Sequence, residues 1–181
     1  MEYEKTTGQI LKAFEFAAKK HQYQKRKDHK RPYINHLTAV AWFLWDIGGV
    51  RDEDTIVAGI LHDTIEDTDT TREEVTQEFG ADVCSIVEEV TDDKSLPKER
   101  RKELQIEHAP HLTPPARHIK LADKICNIED ILEHPPEEWT MERKREYVEW
   151  GQKVIHGIRG TNADLEEYFD DLCQKARERI Q

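Results

Sequence analysis

The 181-residue sequence is poor in the features that build fibrous, membrane-spanning or disulfide-rich proteins. Eight glycines and seven prolines are too few for a collagen-like or low-complexity chain. The longest apolar stretch, Ala39 to Trp45, is far shorter than the roughly 18 residues that a membrane helix needs. The three cysteines form no CxxC pair, so neither a disulfide framework nor a zinc ribbon is predicted. Met1 to Lys5 contain no apolar secretory segment, and we expect a cytoplasmic protein that binds no membrane.

Charge is plentiful and mostly negative. Charged residues make up 36% of the chain and the formal net charge is −11, so a nucleic-acid polymer is not an expected partner. The exception is Lys25 to Arg31, which holds five permanent positive charges and one histidine in seven residues. Two interpretations stay open for this segment. It is either a solvated helix end or a phosphate-binding patch, and a patch on an acidic protein would favour a small polyanion.

Apolar residues recur at helical spacing along almost the whole chain, and no convincing two-residue alternation is present. The sequence therefore predicts an all-α fold, with residues 1–181 forming a single domain. Capping residues and glycines mark the expected helix boundaries. They are Gly48-Gly49, Asp52 or Asp54, the capping box Thr71 with Glu74, Gly80, the pair Thr113-Pro114, Thr140 and Asn162.

The segment from Asp92 to Pro115 has the weakest periodicity in the sequence. It is rich in proline and basic residues, and it predicts only a short helix near Glu99 to Ile106. A mobile flap over a site and an ordinary surface excursion are both consistent with this pattern.

Four ionisable residues lie among apolar positions of three predicted helices. His62 and Asp63 follow the apolar run Ile56 to Leu61, and we expect both to sit inside one buried helix. His36 lies on the apolar face of the helix that contains Val40 and Leu44, and Asp123 lies within Ile119 to Lys124. Burial of a carboxylate is unfavourable unless it is paired or binds a metal. Two imidazoles and two carboxylates suit a divalent transition metal.

Glu66 and Asp67 each follow one of these residues by four positions, which places them one helical turn further on. Carboxylates beside an activated water can act as general base and as orienting group. Asn127 follows Asp123 by the same spacing. On a later helix Arg143 and Tyr147 could present a cation and a hydroxyl group to a nucleotide.

Several segments, taken together, resemble the hydrolase signatures of the RelA/SpoT homologues, which belong to the HD superfamily of metal-dependent phosphohydrolases. The segments are Pro32 to His36, Leu61 to Thr68, and Ile119 to Lys124 with Asn127. Val90 to Lys94 and Gly160 to Asn162 are similar, more narrowly, to the small alarmone hydrolases of the metazoan SpoT homologue type. The resemblance extends from about Ala17 to Leu172.

The resemblance implies a helical HD-domain bundle with its metal site between central helices. It also implies hydrolysis of guanosine tetra- or pentaphosphate to pyrophosphate and GDP or GTP. By this analogy one Mn²⁺ is bound by four residues, and Glu66 and Asp67 position and activate water. The implied ligands are His36, His62, Asp63 and Asp123. The implied nucleotide-binding residues are Arg26, Lys27, Lys98, Asn127, Arg143 and Tyr147.

The sequence departs from the family pattern at three places. The loop His29 to Arg31 lacks a glycine that is frequent there, Leu37 replaces a common proline, and Glu129 replaces a common arginine. Glu129 puts a repelling charge where a phosphate partner would stand, so the substrate preference stays open. The same site could instead remove the 2′-phosphate of NADPH or hydrolyse adenosine alarmones. A nucleotide-sensing module without turnover is the alternative from another class, and the Glu66–Asp67 pair argues against it.

Overall fold

Helices account for nearly all regular structure in the computed structural model, which describes residues 2–180 and the side chains of residues 7–180. The described residues form no strand, and Lys25 and Pro32 make an isolated bridge. The all-α prediction is confirmed. The helices are α1 (Glu2–Lys20), α2 (Ile34–Trp42), α3 (Glu53–Leu61), α4 (Thr64–Asp67), α5 (Arg72–Phe79), α6 (Ala81–Val90), α7 (Lys98–His108), α8 (Pro114–Glu133), α9 (Met141–His156) and α10 (Ala163–Arg179).

Capping side chains begin several of these helices where the sequence predicts them. Asp52 accepts the Thr55 N–H at 2.9 Å, so α3 starts after the first of its two candidate caps. Thr71, Thr140 and Asn162 each accept an amide three residues ahead. Gly80 separates α5 from α6 with φ +95°, a conformation that favours glycine. Such bonds satisfy amides that lack intrahelical partners.

The predicted second helix differs from the observed one. It does not run regularly to Gly48-Gly49, because α2 ends at Trp42 and Phe43–Ile47 form a π-helical turn. Between Asp92 and Pro115, α7 confirms the short helix, and Ala109–His111 add a 3₁₀ turn. No residue of α7, all of which are described, is buried.

The core is built around α3 and α8. α8 packs against α2, α3, α6, α9 and α10, and α3 also packs against α1. Gly59 allows a close approach here, because a Cβ at this position would lie 2.6 Å from Leu44 Cδ1. One buried cluster extends from Ala13 to Ile180. The prediction that residues 1–181 form a single domain stays a prediction.

Three expectations from composition concern cysteines, membranes and the N-terminus. Cys84, Cys126 and Cys173 are buried and free. Within the described part of the chain, no helix combines the length and apolarity needed to cross a membrane. The prediction that a secretory signal is absent depends on Met1 to Lys5, whose side chains lie outside the described residues.

Candidate active site

The site begins where the helical path is interrupted, at the turn between α3 and α4. The expectation that His62 and Asp63 sit inside one helix is wrong, because α3 ends at Leu61 and the two residues form a turn. The Thr64 hydroxyl donates to the Leu61 carbonyl at 2.6 Å and so satisfies an acceptor at the helix end. Neighbouring side chains of a continuous helix point in different directions. At this break they converge instead, and His62 Nε2 lies 3.0 Å from Asp63 Oδ2.

Four donor atoms from α2, the α3–α4 turn and α8 meet at this point. His36 Nε2 lies 3.3 Å from His62 Nε2, 3.5 Å from Asp63 Oδ2 and 3.3 Å from Asp123 Oδ1. The two imidazoles are buried, and the Asp63 and Asp123 side chains are 17% and 13% exposed. The structure therefore brings together all four residues that the sequence predicts as metal ligands.

The donor set fits a divalent metal ion. Ligand atoms about 2.0–2.2 Å from one ion lie roughly 3–3.6 Å from each other, and the distances from His36 Nε2 fall in that range. His62 Nδ1 lies 2.8 Å from the Gly59 carbonyl and donates there, so Nε2 is the nitrogen that faces the other ligands and binds a metal once it is deprotonated. His36, His62 and Asp123 have the spacing and burial of a metal-binding group.

The charges of this cluster are strongly coupled. Burial lowers the pKa of His62, but the Asp63 carboxylate outweighs it and raises that pKa to about 8. Burial raises the pKa of Asp63, and the two imidazoles more than reverse this and hold it well below its usual range. Burial likewise acts against ionisation of Asp123, yet Lys124 and His36 lower its pKa well below normal. Both carboxylates are therefore charged and able to bind a cation at neutral pH.

Hydrogen bonds from outside the cluster orient its carboxylates. Tyr33 donates its hydroxyl hydrogen to Asp63 Oδ2 at 2.6 Å. Lys124 Nζ lies 2.8 Å from Asp123 Oδ2, and Asn127 Nδ2 donates to Asp123 Oδ1 at 2.5 Å. Sequence reasoning assigned no role to Tyr33 or Lys124. Their only signal is that each lies inside a quoted family motif that also contains a predicted ligand.

Glu66 and Asp67 line the same cleft of about 360 Å³ as His62, Asp63 and Asp123. Glu66 Oε2 accepts the Asp92 N–H at 2.9 Å, and Glu66 Oε1 lies 3.3 Å from Lys94 Nζ. Burial raises the pKa of Glu66 above its usual range. A carboxylate with a raised pKa is a better proton acceptor near neutral pH.

Asp67 is held from two sides by groups that the sequence analysis missed. Its Oδ2 accepts a hydrogen bond from Gln24 Nε2 at 2.8 Å, and its Oδ1 lies 2.5 Å from Lys94 Nζ. Lys94 thus bridges Glu66 and Asp67. Lys94 could have been found, because it ends the quoted motif Val90 to Lys94, whereas Gln24 lies 43 residues away from Asp67.

The cleft is rich in positive charge although the whole protein is acidic. Lys27 Nζ donates to Asn127 Oδ1 at 2.8 Å and to the Tyr147 hydroxyl at 3.1 Å. Burial, together with the nearby Arg26, lowers the pKa of Lys27 to about 7. The cations that line the cleft are Lys25, Arg26, Lys27, Lys94, Lys120 and Lys124.

The basic run Lys25 to Arg31 is divided between the cleft and acidic partners. Lys25, Arg26 and Lys27 line the cleft, but Arg26 is 3% exposed and also binds Asp130 at 2.7 Å. Lys30 and Arg31 pair with Glu137 and Asp130. His29 has φ +59°, a backbone conformation that favours glycine.

Two of the six predicted nucleotide-binding residues lie outside the main cleft. Lys98 and Arg143 line a neighbouring groove of about 420 Å³, and Tyr147 borders both spaces. The Arg143 guanidinium stacks 4.3 Å from the centre of the Trp139 ring. Arg26, Lys27, Asn127 and Tyr147 all line the main cleft.

Glu129, one of the departures from the family pattern, lies behind the candidate metal cluster. It lines a cavity of about 210 Å³ together with His36 and Arg26. Its Oε1 accepts the Tyr168 hydroxyl at 3.1 Å, so the side chain is held towards α10. At the other departure, Leu37 is fully buried in α2.

Comparison with known proteins agrees with this geometry. A profile of the HD domain matches residues 13–149. Relatives named guanosine-3′,5′-bis(diphosphate) 3′-pyrophosphohydrolase MESH1 are each 52% identical, over 164 residues in Xenopus tropicalis and 169 in Homo sapiens. The matched regions span 90% and 93% of this chain and 92% and 94% of the relatives. This chain belongs to the HD-domain family, among the metazoan SpoT homologues.

A solved structure of the family supports the same assignment. It was described as a metazoan orthologue of SpoT that hydrolyses ppGpp and has a role in starvation responses. It is 42% identical and superposes with a TM-score of 0.90, covering 96% of this chain and 97% of the other. The resemblance found from the sequence motifs, and the HD-domain bundle it implies, are therefore confirmed.

Proposed function

We propose that this chain is a divalent-metal-dependent hydrolase that removes the 3′-pyrophosphate of guanosine tetra- or pentaphosphate. One observation carries the proposal: His62, Asp63 and Asp123 line a cleft that also holds the partly buried carboxylate of Glu66 and six cationic side chains. His36 completes the cluster from the neighbouring cavity, with its Nε2 within 3.5 Å of a donor atom of each of these three ligands. The names of the relatives support this substrate class. A cleft with several cations suits a substrate with two diphosphate groups, because local positive charge offsets the repulsion by the net charge of −11.

His36, His62, Asp63 and Asp123 would hold the ion, and Mn²⁺ fits because imidazole ligands favour transition metals over Mg²⁺. When bound, such an ion supplies Lewis acidity, which lowers the pKa of water and draws charge from a phosphoryl group. The remaining chemistry belongs to the chain. Lys27, Asn127 and Tyr147 bind the nucleotide in the main cleft, and Lys98 and Arg143 extend its binding surface along the neighbouring groove.

Glu66 is the group proposed to take the proton from water, and Asp67 is proposed to orient that water. Water adds to the phosphorus that is joined to the 3′ oxygen, and the bond between that phosphorus and oxygen breaks. The ribose 3′ oxygen is the leaving group, and it gains a proton that balances the one Glu66 takes from water. The products are GDP or GTP and pyrophosphate, which carries the oxygen of the water. Lys94, beside Glu66 and Asp67, and Arg26 stabilise the negative charge that develops on the phosphoryl oxygens and on the departing 3′ oxygen.

A substrate panel tests the proposal directly. Guanosine and adenosine alarmones and NADPH are each incubated with metal-free protein, and then with added Mn²⁺ or Mg²⁺. We expect pyrophosphate release from the guanosine alarmones, restored better by Mn²⁺ than by Mg²⁺. Phosphate release from NADPH, or turnover of adenosine alarmones alone, would support the alternative substrates. Nucleotide binding without any turnover would support a sensing module.

Glu66→Gln tests the assignment of the base. The substitution keeps the shape and the bond from the Asp92 N–H but removes the proton acceptor. We expect kcat to fall about 10²-fold while the metal content and melting temperature stay the same. Glu167→Gln, on the exposed face of α10, is the matched control and should retain wild-type kcat. A wild-type kcat in Glu66→Gln would show that Glu66 is not the base.

A further inference from the structure

α7 has no buried side chain, yet it reaches inward to the catalytic carboxylate through polar contacts. Gln105 Nε2 donates to Asp92 Oδ2 at 2.7 Å, and Arg101 approaches Glu66 Oε1 at 3.7 Å. α7 itself is fixed to α9, because Trp150 Nε1 donates to the Lys102 carbonyl at 3.0 Å. The helix is therefore held in place beside the cleft by directional bonds.

Asp92 connects Gln105 to Glu66. Its side chain accepts from Gln105, while its backbone N–H donates to Glu66 Oε2 at 2.9 Å. Asp92 follows the end of α6, where Thr91 has extended backbone angles, so no helical bond fixes the direction of the Asp92 N–H. The bond from Gln105 supplies this restraint across 13 residues of chain.

The orientation of Glu66 matters because the terminal torsion of a glutamate has no sharp preferred values. Its carboxylate plane is set by outside partners, and Asp92 supplies the backbone bond to Oε2. A general base must lie within hydrogen-bond reach of its proton, and small misplacements lower the rate strongly.

We propose that Gln105 is a positioning residue, which acts through Asp92 to orient the Glu66 carboxylate and thereby sets kcat. This inference rests on the proposed function, in which Glu66 is the base. Gln105 also borders the cleft, so the competing role is direct contact with the substrate. The two roles differ kinetically, since loss of a substrate contact made equally throughout the reaction raises KM, whereas loss of positioning lowers kcat.

Gln105→Leu removes the donor at similar size. We expect kcat to fall about tenfold and KM to stay within twofold of wild type. Glu103→Gln, on the same helix at a side chain that is 62% exposed, is the control and should match wild type. A raised KM with unchanged kcat in Gln105→Leu would overturn the proposal.

Exchanging the amide of Gln105 with the carboxylate of Asp92 tests whether the hydrogen bond itself matters or only the packing of these side chains. Gln105→Glu places two carboxylates together and should lower kcat further than Gln105→Leu. Adding Asp92→Asn restores a bond of reversed direction, from the new amide to the new carboxylate, with the total charge unchanged. We expect the double variant to recover most of the lost kcat. Failure of this rescue, with both variants folded by their melting temperatures, would contradict the proposal.

A readout without turnover keeps the two proposals distinguishable. In metal-free protein, hydrogen exchange at the Asp92 amide should be slow in wild type and in the double variant, and faster in Gln105→Leu. Equal exchange rates in all three would overturn the positioning role. If wild type hydrolyses no member of the substrate panel, the proposed function fails, while this exchange measurement still decides whether Gln105 holds Asp92 against Glu66.

Discussion

α8 and α7 flank the same cleft and are built in opposite ways. Eleven of the 20 residues of α8 are buried, including Lys120, Lys124 and Asn127, whereas none of the 11 residues of α7 is. α8 supplies Asp123 to the candidate metal cluster, and α7 supplies polar contacts to the loop that holds Glu66. Metal-binding residues need fixed positions, which a packed core provides. A helix held mainly by polar contacts, such as α7, separates from the rest of the protein at a lower cost in free energy.

The largest contrast is expected when one charged residue of each helix is removed. Asp123→Ala should abolish metal binding and lower kcat/KM by about 10³-fold or more, because it removes a donor atom of the cluster. Lys98→Ala on α7 should raise KM only a few fold and retain the metal. Elemental analysis and steady-state kinetics check both. Full metal content in Asp123→Ala would contradict the ligand assignment.

A matched pair of leucines tests the difference in packing. Leu121 on α8 is fully buried, and Leu104 on α7 is partly exposed. Leu121→Ala should lower the free energy of unfolding by about 2–5 kcal/mol, since it leaves a cavity in the core. Leu104→Ala should cost about 1 kcal/mol or less. Urea denaturation measures both values, and similar losses would mean that α7 is packed as firmly as α8.

The pH dependence of stability should also differ between the helices. Burial raises the pKa of Asp130 on α8, but Arg26 and Arg31 outweigh it and lower the pKa below the usual 3.8. The charged form therefore stabilises the fold above about pH 4, and this stabilisation is lost as the pH falls through the lowered pKa.

Asp130→Asn should accordingly lower the free energy of unfolding by about 1–2 kcal/mol at pH 7, and the difference should shrink as the pH falls below about 4. Glu107→Gln on α7 is the control, because Glu107 pairs with Arg100 at the exposed surface and should have no measurable effect. Urea denaturation from pH 2 to pH 7 provides the test. A constant difference across this range would rule out the proposed linkage.

The smallest expected effect concerns substrate capture. Lys27→Met should raise KM about tenfold, or roughly 1.4 kcal/mol, with kcat nearly unchanged, because a phosphate contact present throughout the reaction is lost. Lys102→Met, on α7 at the groove, should have a smaller effect. Both effects should shrink as salt is added, since ions screen the cleft. An unchanged KM in Lys27→Met at low and high salt would show that Lys27 does not bind substrate.

Much of this architecture could be predicted because its signals are local. Helical periodicity located α8, and the caps Thr140 and Asn162 act within three residues of chain. The break at His62 and Asp63 was missed, since the apolar pattern continues through Ile65 and the Thr64 hydroxyl that caps Leu61 has no distinct signature in the sequence. Intact helical spacing therefore did not reveal the turn that brings the two ligands together.

Long-range partners explain the rest of what could not be predicted. The sequence left open whether the basic run is a solvated helix end or a phosphate-binding patch, and it did not show that Asp130 and Glu137, more than 100 residues away, bind Arg26 and Lys30. The contacts of Gln24 with Asp67 and of Gln105 with Asp92 likewise depend on how α1, α4, α6 and α7 pack. For the segment from Asp92 to Pro115, a mobile flap and an ordinary surface excursion both remain predictions.

Hydrolysis in ¹⁸O-labelled water tests the central claim most directly. Guanosine tetraphosphate is incubated with the Mn²⁺-loaded protein, and the products are analysed by ³¹P NMR and mass spectrometry. Attack of water at the phosphorus beside the 3′ oxygen predicts one ¹⁸O atom in pyrophosphate and none in GDP, with no reaction in metal-free protein. Label in the ribose hydroxyl, release of orthophosphate as the first product, or full turnover without metal would contradict it.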